Sequence, residues 1–245
     1  MKKSIFLLII SSNLAVLCSA QASKWFVSLT SGPVWGGPGG SIKRQMVKQG
    51  FDDQSHFIFL GADFTSDYPK KSNGASFMIR GGKKQKENRS IYFAAGIADK
   101  GSVRGYKSKG TFSSWWLFGG TDGNQITIDY DVYSIGAGYQ YSFPKTRSKL
   151  GLGPTAFLFN YQMQTNHQET VKKSSIIPGA SFNARVPLGR EKKLFGVELF
   201  ANANLALPAK MKQLQTSGTS SEATFNSCRV NMIHATAGLA FSFRR

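Results

Sequence analysis

The sequence of 245 residues lacks the long apolar runs by which helical proteins cross membranes. Beyond the N-terminal segment, no stretch approaches the roughly 18 apolar residues that a spanning helix needs. Cysteine is nearly absent: the sequence has only Cys18 and Cys228, and loss of the N-terminal segment would leave Cys228 without a disulfide partner. These absences exclude a helical membrane protein and a disulfide-stabilised scaffold.

Acidic residues are also scarce, with 13 Asp and Glu against 31 Lys and Arg, so the formal net charge is +18. A basic start at Met1–Lys3, an apolar stretch from Ile5 to Cys18 and the small residues Ala20 and Ala22 predict a signal peptide over residues 1–22. The mature protein would then form one domain over residues 23–245. An exported protein meets phosphate-bearing lipid rather than nucleic acid, so we expect outer-membrane lipid and lipopolysaccharide as partners and no nucleic acid.

Eight segments alternate between apolar and polar residues. This period of two is typical of β-strands with one apolar and one polar face. The segments are Trp25–Pro33, Ala75–Gly81, Ser90–Ala98, Tyr133–Phe143, Leu150–Leu158, Ile176–Leu188, Phe195–Leu205 and Ile233–Phe243. They predict an all-β fold, an eight-stranded antiparallel up-and-down transmembrane barrel with long external loops.

The connections between these segments alternate in length, as short periplasmic turns and long external loops do in outer-membrane barrels. The short ones are Lys83–Asn88, Pro144–Lys149 and Gly189–Lys192, and the long ones are Val34–Gly74, Asp99–Gln125, Thr165–Ser175 and Pro208–Asn226. Opposed residues of a hairpin share a face. The short turns therefore predict that Phe182 opposes Leu199 and that Tyr141 opposes Leu152. The first long loop contains a possible short helix, Ser41–Gln49.

Each alternating segment assigns its residues to two faces. The outward set predicts an aromatic belt at the periplasmic ends, formed by Trp25, Tyr141, Phe143, Phe195, Phe241 and Phe243. The inward set predicts a polar lumen, formed by Arg80, Gln140, Asn183, Arg185, Glu198, Asn202, Asn204 and His234. Because eight strands enclose little space, we expect a plugged interior with an Arg185–Glu198 contact, and a narrow pore gated by that contact is the alternative.

Three stretches carry a family resemblance: the opening strand Trp25–Leu29 with its exit Ser31–Pro33, the strand Ile135–Tyr139 and the closing strand Ala237–Phe243. With these the chain resembles the outer-membrane β-barrel proteins common in Bacteroidetes-type bacteria, a porin-like group related in architecture to the OmpA barrel. The resemblance implies localisation in the outer membrane of a Gram-negative bacterium. It also implies that the barrel-assembly machinery reads the terminal aromatic strand.

Basic residues in the second long connection are possible contacts for lipopolysaccharide phosphates, namely Lys100, Arg104, Lys107 and Lys109. The aromatic cluster Phe112–Phe118 follows them, and it could extend a strand or anchor an unknown surface partner. His234 and Thr236 are faintly similar to the His-x-Ser pair of an outer-membrane lipid A deacylase, although His234 would face the lumen. The glycine-rich stretch Gly36–Lys43 lacks the spacing of a phosphate-binding loop.

No catalytic, cofactor or metal site is predicted, since His56, His167 and His234 are few and scattered. The composition and the predicted barrel favour a structural, adhesion or surface-contact role. Three alternatives stay open at this point. They are a narrow porin-like channel for small solutes, a secreted lipocalin-like ligand-binding barrel whose apolar face points inward, and a lipid A-modifying enzyme.

Overall fold

The computed structural model describes residues 25–60, 62–115, 118–165, 170, 172–189, 195–216 and 223–244. The predicted signal peptide lies outside these residues. Eight long strands dominate the described chain: β1 Trp25–Gly36, β2 Gly74–Lys86, β3 Arg89–Trp115, β4 Phe118–Ser142, β5 Lys149–Thr165, β6 Lys173–Pro187, β7 Phe195–Ala206 and β8 His234–Arg244. Each strand covers one of the eight segments predicted from the alternation to within one residue at either end.

The eight long strands form a closed antiparallel ring. Each strand pairs with the next along the chain, from β1–β2 to β7–β8. β8 returns to β1, with Phe243 opposite Val27 and Ala235 opposite Trp35. Such closure removes the free edges that would otherwise expose backbone donors and acceptors to lipid. The all-β, eight-stranded, up-and-down barrel predicted from the sequence is confirmed.

The predicted hairpin registers are wrong, although their parity is right. Leu199 opposes Val186, four residues further along β6 than the predicted Phe182. In this register Asn204 lies opposite Ser181 and accepts its hydrogen bond at 2.6 Å, an interior contact that the predicted register, with Asn204 opposite Ile177, would not form.

Tyr141 opposes Leu150 rather than Leu152. The turn is tighter than predicted because Arg147 adopts a left-handed backbone with φ of 57°, and the Phe143 N–H donates to the carbonyl of Ser148 at 2.8 Å.

The β3–β4 hairpin is much longer than predicted. The expected loop Asp99–Gln125 is mostly strand, because pairing continues from Ile97–Tyr133 to Trp115–Phe118. A bulge between Ile97 and Asp99 shifts the alternation of β3, so Asp99 and Val103 face inward beyond it, whereas Lys100 and Arg104 face outward. From Asp99 to Trp115 the hairpin extends roughly 50 Å at the usual rise of a strand.

A packed extracellular region, here called the head, covers the outer end of the barrel. Its helix α1, Pro38–Lys48, begins earlier than the predicted Ser41, because proline without an N–H suits the first turn. Two short strands, Ser55–Phe59 and Ala62–Ser66, pair with each other, and Lys70–Lys71 pairs with β3. Ala209–Met211 pairs with Cys228–Val230, and Leu214–Gln215 pairs with Thr224–Phe225.

One apolar core joins the head to the outer ends of the strands. α1 contributes Ile42 and Met46, and the last long connection contributes Met211, Phe225 and other buried residues. The inward positions of the strand ends supply the remainder, including Val103, Ile126, Ile128, Tyr130, Val132, Phe157, Phe159, Tyr161 and Met163. The expectation of an entirely polar interior is therefore wrong for the outer end, where the helix and the last connection provide apolar partners.

The outside of the barrel wall is apolar. Outward side chains such as Phe93, Ile135, Leu152 and Leu199 are between 48% and 68% exposed, which would be costly against water and is favourable against hydrocarbon. No helix among the described residues is long and apolar enough to span a bilayer.

Candidate functional site

A guanidinium group lies at the centre of the lumen, the space inside the ring. Arg80 of β2 donates to Asn183 Oδ1 at 2.7 Å and to Gln140 Oε1 at 3.2 Å. The Asn183 amide then donates to the hydroxyl of Tyr92 at 3.0 Å, and the Arg80 guanidinium lies 4.0 Å from the centre of the Tyr92 ring. Side chains from four strands thus bridge the interior.

A buried ion cluster lies nearer the periplasmic end. Glu198 is fully buried, and its Oε2 lies 3.4 Å from Arg185 Nη1. Its other oxygen pairs with Lys149. Arg185 Nη1 also donates to Ser28 Oγ at 2.8 Å. The predicted Arg185–Glu198 contact is present, although it forms in a register different from the predicted one.

A third polar group lies at the outer limit of the polar lumen. Asn204 accepts from Ser181 at 2.6 Å and from the Asn202 amide at 3.2 Å, and its own amide lies 2.8 Å from His234 Nε2. His234 Nδ1 lies 3.0 Å from the Met232 carbonyl oxygen. All eight residues proposed for the lumen are at most 6% exposed.

Sequence reasoning missed several members of these groups: Ser28, Tyr92, Lys149 and Ser181. Parity could have found Ser28 and Tyr92, since each shares the inward face of its strand. Lys149 was assigned to a turn, and only the tighter β4–β5 register moves it into the first inward position of β5.

The aromatic residues assigned to the belt lie at the periplasmic ends of the strands. Tyr141, Phe143, Phe195, Phe241 and Phe243 are between 40% and 49% exposed, on the outward face. Phe195 packs against Phe243 with ring centres 5.4 Å apart, because the two residues oppose each other across β7 and β8. Trp25, which opposes Lys83, has the Lys83 ammonium 5.8 Å from its ring.

The four basic residues assigned to lipopolysaccharide lie on β3 rather than in a loop, and they are spread along it. Lys100 lies just beyond the last outward apolar pair, Ile97–Tyr133, and its ammonium is 3.9 Å from Asp131. Arg104, Lys107 and Lys109 lie progressively further out, so the four do not form one cluster.

Residues 116 and 117 of the aromatic cluster Phe112–Phe118 lie outside the described residues, as do the side chains of the other five.

One buried acid lies where the lumen meets the head. Asp99 is 1% exposed, and its carboxyl oxygens lie so near Gly37 and Gly74 that a Cβ on either glycine would come within 2.5 Å of them. Burial raises the pKa of Asp99 to about 7, and the nearby Lys71 ammonium acts in the opposite direction. The carboxyl group therefore titrates near neutral pH.

The remaining candidate groups do not form a reactive site. His234 and Thr236 are both 2% exposed and face the lumen, so neither meets a lipid substrate on the outer wall. Among the described residues, no three His, Cys, Asp or Glu side chains are grouped to hold a metal ion. Burial raises the pKa of the Cys228 thiol to about 11, which disfavours the reactive thiolate.

The eight antiparallel strands form a closed ring that is apolar outside and encloses a polar lumen below an apolar layer, and this is the architecture of a transmembrane β-barrel. The same geometry rules out the lipocalin-like alternative, whose apolar face would point inward.

The chain is similar in overall structure to three solved outer-membrane proteins. They are Ail, the attachment invasion locus protein of Yersinia pestis (TM-score 0.40, 12% sequence identity, 91% of this chain and 99% of that chain), OprG from Pseudomonas aeruginosa (0.42, 10%, 91% and 97%), and Neisserial surface protein A (0.39, 11%, 90% and 97%). No family model and no curated protein matches the chain. Similarity at this level establishes no shared activity.

Proposed function

We propose that this protein is a closed barrel in the outer membrane of a Gram-negative bacterium, and that its role is to present its head to a negatively charged partner, in adhesion or surface contact. The observation that supports this most is the apolar core beneath the head. Mobile loops need no such core, whereas a rigid binding surface does, because contact residues held in place lose less entropy on binding.

The outer face of α1 provides the candidate contact surface. Ile42 and Met46 are fully buried in the apolar core, so the helix turns Lys43, Arg44 and Lys48 to solvent. The helix contains no acidic residue. A cluster of cations on one fixed face steers an anionic partner towards the head.

A closed interior favours this role over a channel. Arg80, Asn183 and Tyr92 join across the lumen, and Phe157 and Phe159 fill the space above them. An ion crossing the barrel would have to break the buried contacts of Glu198 and then pass an apolar layer without hydration. We also propose no enzymatic activity, since His234 and Thr236 are buried inside the ring, away from a lipid substrate on the outer wall.

The proposal includes three finer assignments. Lys100, at the depth of lipid phosphates, would contact lipopolysaccharide, whereas Arg104, Lys107 and Lys109 would meet more distant sugars or an unknown surface partner. The closing strand Ala237–Phe243 would be read by the barrel-assembly machinery. Together with Trp25–Leu29, it supports placing the chain in the porin-like group common in Bacteroidetes-type bacteria.

Adhesion of bacterial cells that display the barrel tests the contact role. Cells with the wild-type chain should adhere to a surface coated with sulfated polysaccharide, and K43Q/R44Q/K48Q should abolish most of that adhesion. The control K84Q/K86Q removes exposed cations at the periplasmic end and should adhere normally. Equal adhesion of all variants would contradict the role of α1.

Conductance in planar bilayers tests the closed lumen. Purified protein should give no discrete current steps, because the interior contacts span the ring. Steady single-channel steps from the wild-type barrel would replace the proposal with the channel alternative, and E198Q would then be expected to change their size.

A further inference from the structure

Two cations lie directly opposite each other on the outside of the head. In the short antiparallel pair Ala209–Met211 and Cys228–Val230, Lys210 opposes Arg229. Their strand neighbours are buried in the apolar core, so both cations face outward. Like charges in opposed positions destabilise a strand pair. Neither residue forms an ion pair with any described residue, so an anion from outside the chain would relieve the repulsion.

A groove of about 660 Å³ lies beside this pair on the barrel wall. Ile176 and Leu207 line it and are 79% and 62% exposed, more than most apolar side chains of the wall. The Leu207 N–H donates to the carbonyl of Pro178 at 3.3 Å, which holds the two sides of the groove together.

Lys210 and Lys212 line the outer end of the groove. Lys173 donates to the Gln213 carbonyl and so fixes the segment that carries them. The groove is therefore apolar along the wall and cationic at its outer end.

The lower part of the groove continues the apolar outer face of the barrel wall. Ile176 lies opposite Leu158, another outward apolar residue of the wall, so the lower part of the groove faces hydrocarbon. Lys210 is three residues beyond Leu207, about 10 Å at the rise of an extended chain. A lipid whose acyl chains cover Ile176 and Leu207 would therefore bring its phosphate beside these cations.

We propose that this groove binds one phosphorylated, acylated glycolipid of the outer leaflet. Its phosphate lies between Lys210, Arg229 and Lys212, and its acyl chains cover Ile176 and Leu207. The site is separate from Lys100 and from the basic face of α1. It depends on the barrel being in the membrane and not on the proposed contact role.

Native mass spectrometry of the folded, detergent-solubilised barrel tests the proposal, with lipid A of two phosphates as the probe. K210Q/R229Q should bind lipid A about 30-fold more weakly, since each cation near a phosphate contributes about a factor of five. K210R/R229K keeps both charges and should bind like the wild type. K84Q/K86Q, which removes two cations elsewhere, should also bind like the wild type.

Two measurements on the wild-type chain decide the matter even if a variant does not fold. Dephosphorylated lipid A should bind at least tenfold more weakly than the phosphorylated form, and excess inorganic phosphate should not displace lipid A. Inorganic phosphate that displaces lipid A would show a free-phosphate site and overturn the proposal. Equal binding of lipid A by wild type and K210Q/R229Q would overturn it as well.

For the apolar half, I176N/L207N should weaken lipid A binding and leave the mobility of the folded barrel on a gel unchanged. Unchanged binding by this folded variant would show that acyl chains do not occupy the groove, and the proposal would fail in that part.

Discussion

Replacement of Glu198 by Gln should destabilise the barrel more than any single exposed substitution. Glu198 is fully buried and balances two cations, Arg185 at 3.4 Å and Lys149. The side chains of Arg185 and Lys149 are 5% and 14% exposed, so removal of the carboxylate leaves two positive charges with little access to water.

Breaking a buried ion pair from one side costs about 3–5 kcal/mol. Arg185 keeps its hydrogen bond to Ser28 at 2.8 Å, and Lys149 lies beside a cavity of about 310 Å³ at the periplasmic mouth, where water can reach it. We therefore expect a loss near the lower end, about 3 kcal/mol in the free energy of unfolding, for Glu198→Gln.

Urea-induced unfolding in lipid vesicles, followed by tryptophan fluorescence, measures this loss. Unfolding and refolding curves should coincide before a free energy is taken from them. The double variant E198Q/R185Q should lose less than the sum of the two single variants, because the second change removes one of the two cations that Glu198 balances.

Glu87→Gln is the matched control, since Glu87 is exposed in the turn between β2 and β3 and should change stability by less than about 0.5 kcal/mol. If E198Q unfolds at the same urea concentration as E87Q, the ion cluster does not hold the lumen together.

Three further outcomes can each be checked by a separate measurement. Because the pKa of Asp99 is raised from 3.8 to about 7, the contribution of Asp99 to the free energy of unfolding should fall as pH rises between these values and stay constant above them. Asp99→Asn should therefore raise the urea midpoint at pH 8 and leave it nearly unchanged at pH 4. Cys228 should react with maleimide only after unfolding, as mass spectrometry would show, because it is 9% exposed and its thiol pKa is about 11. Gly153→Ala should abolish the heat-dependent gel shift of a folded barrel, because a Cβ at position 153 would lie 1.9 Å from the carbonyl oxygen of Ala137. Gly40→Ala should keep the shift, because no atom lies within 4 Å of a Cβ at position 40.

The ring and its two faces could be predicted from the alternation alone. A strand has a period of two, so each residue of Tyr133–Phe143 is assigned to a face as soon as one of them is. This is why the inward positions of Arg185 and Glu198 were predicted while their register was wrong by an even number of residues. Register depends on contacts between distant strands, such as Ser181 with Asn204, and turn length alone does not reveal them.

The head could not be predicted because its core is assembled from distant parts of the sequence. Ile42, Tyr130, Phe157 and Met232 meet in one cluster, yet no local pattern links them. The bulge after Ile97 also reverses the parity of β3, so the continuation of the hairpin does not follow the alternation read before it. The groove beside Lys210 could not be predicted for the same reason, since Lys210 and Arg229 become neighbours only when two short strands pair.

The composite core of the head has a consequence for how the molecule is made. Ile42 and Met232 come from opposite ends of the chain and each follows or precedes one of the two strands that close the ring, so pairing of β1 with β8 brings them together. A polypeptide that ends before β8 would leave Ile42 and Met46 of the helix without part of their apolar core. Folding of the head thus depends on closure of the barrel. An antibody specific for the folded head would therefore bind only molecules whose barrel is closed.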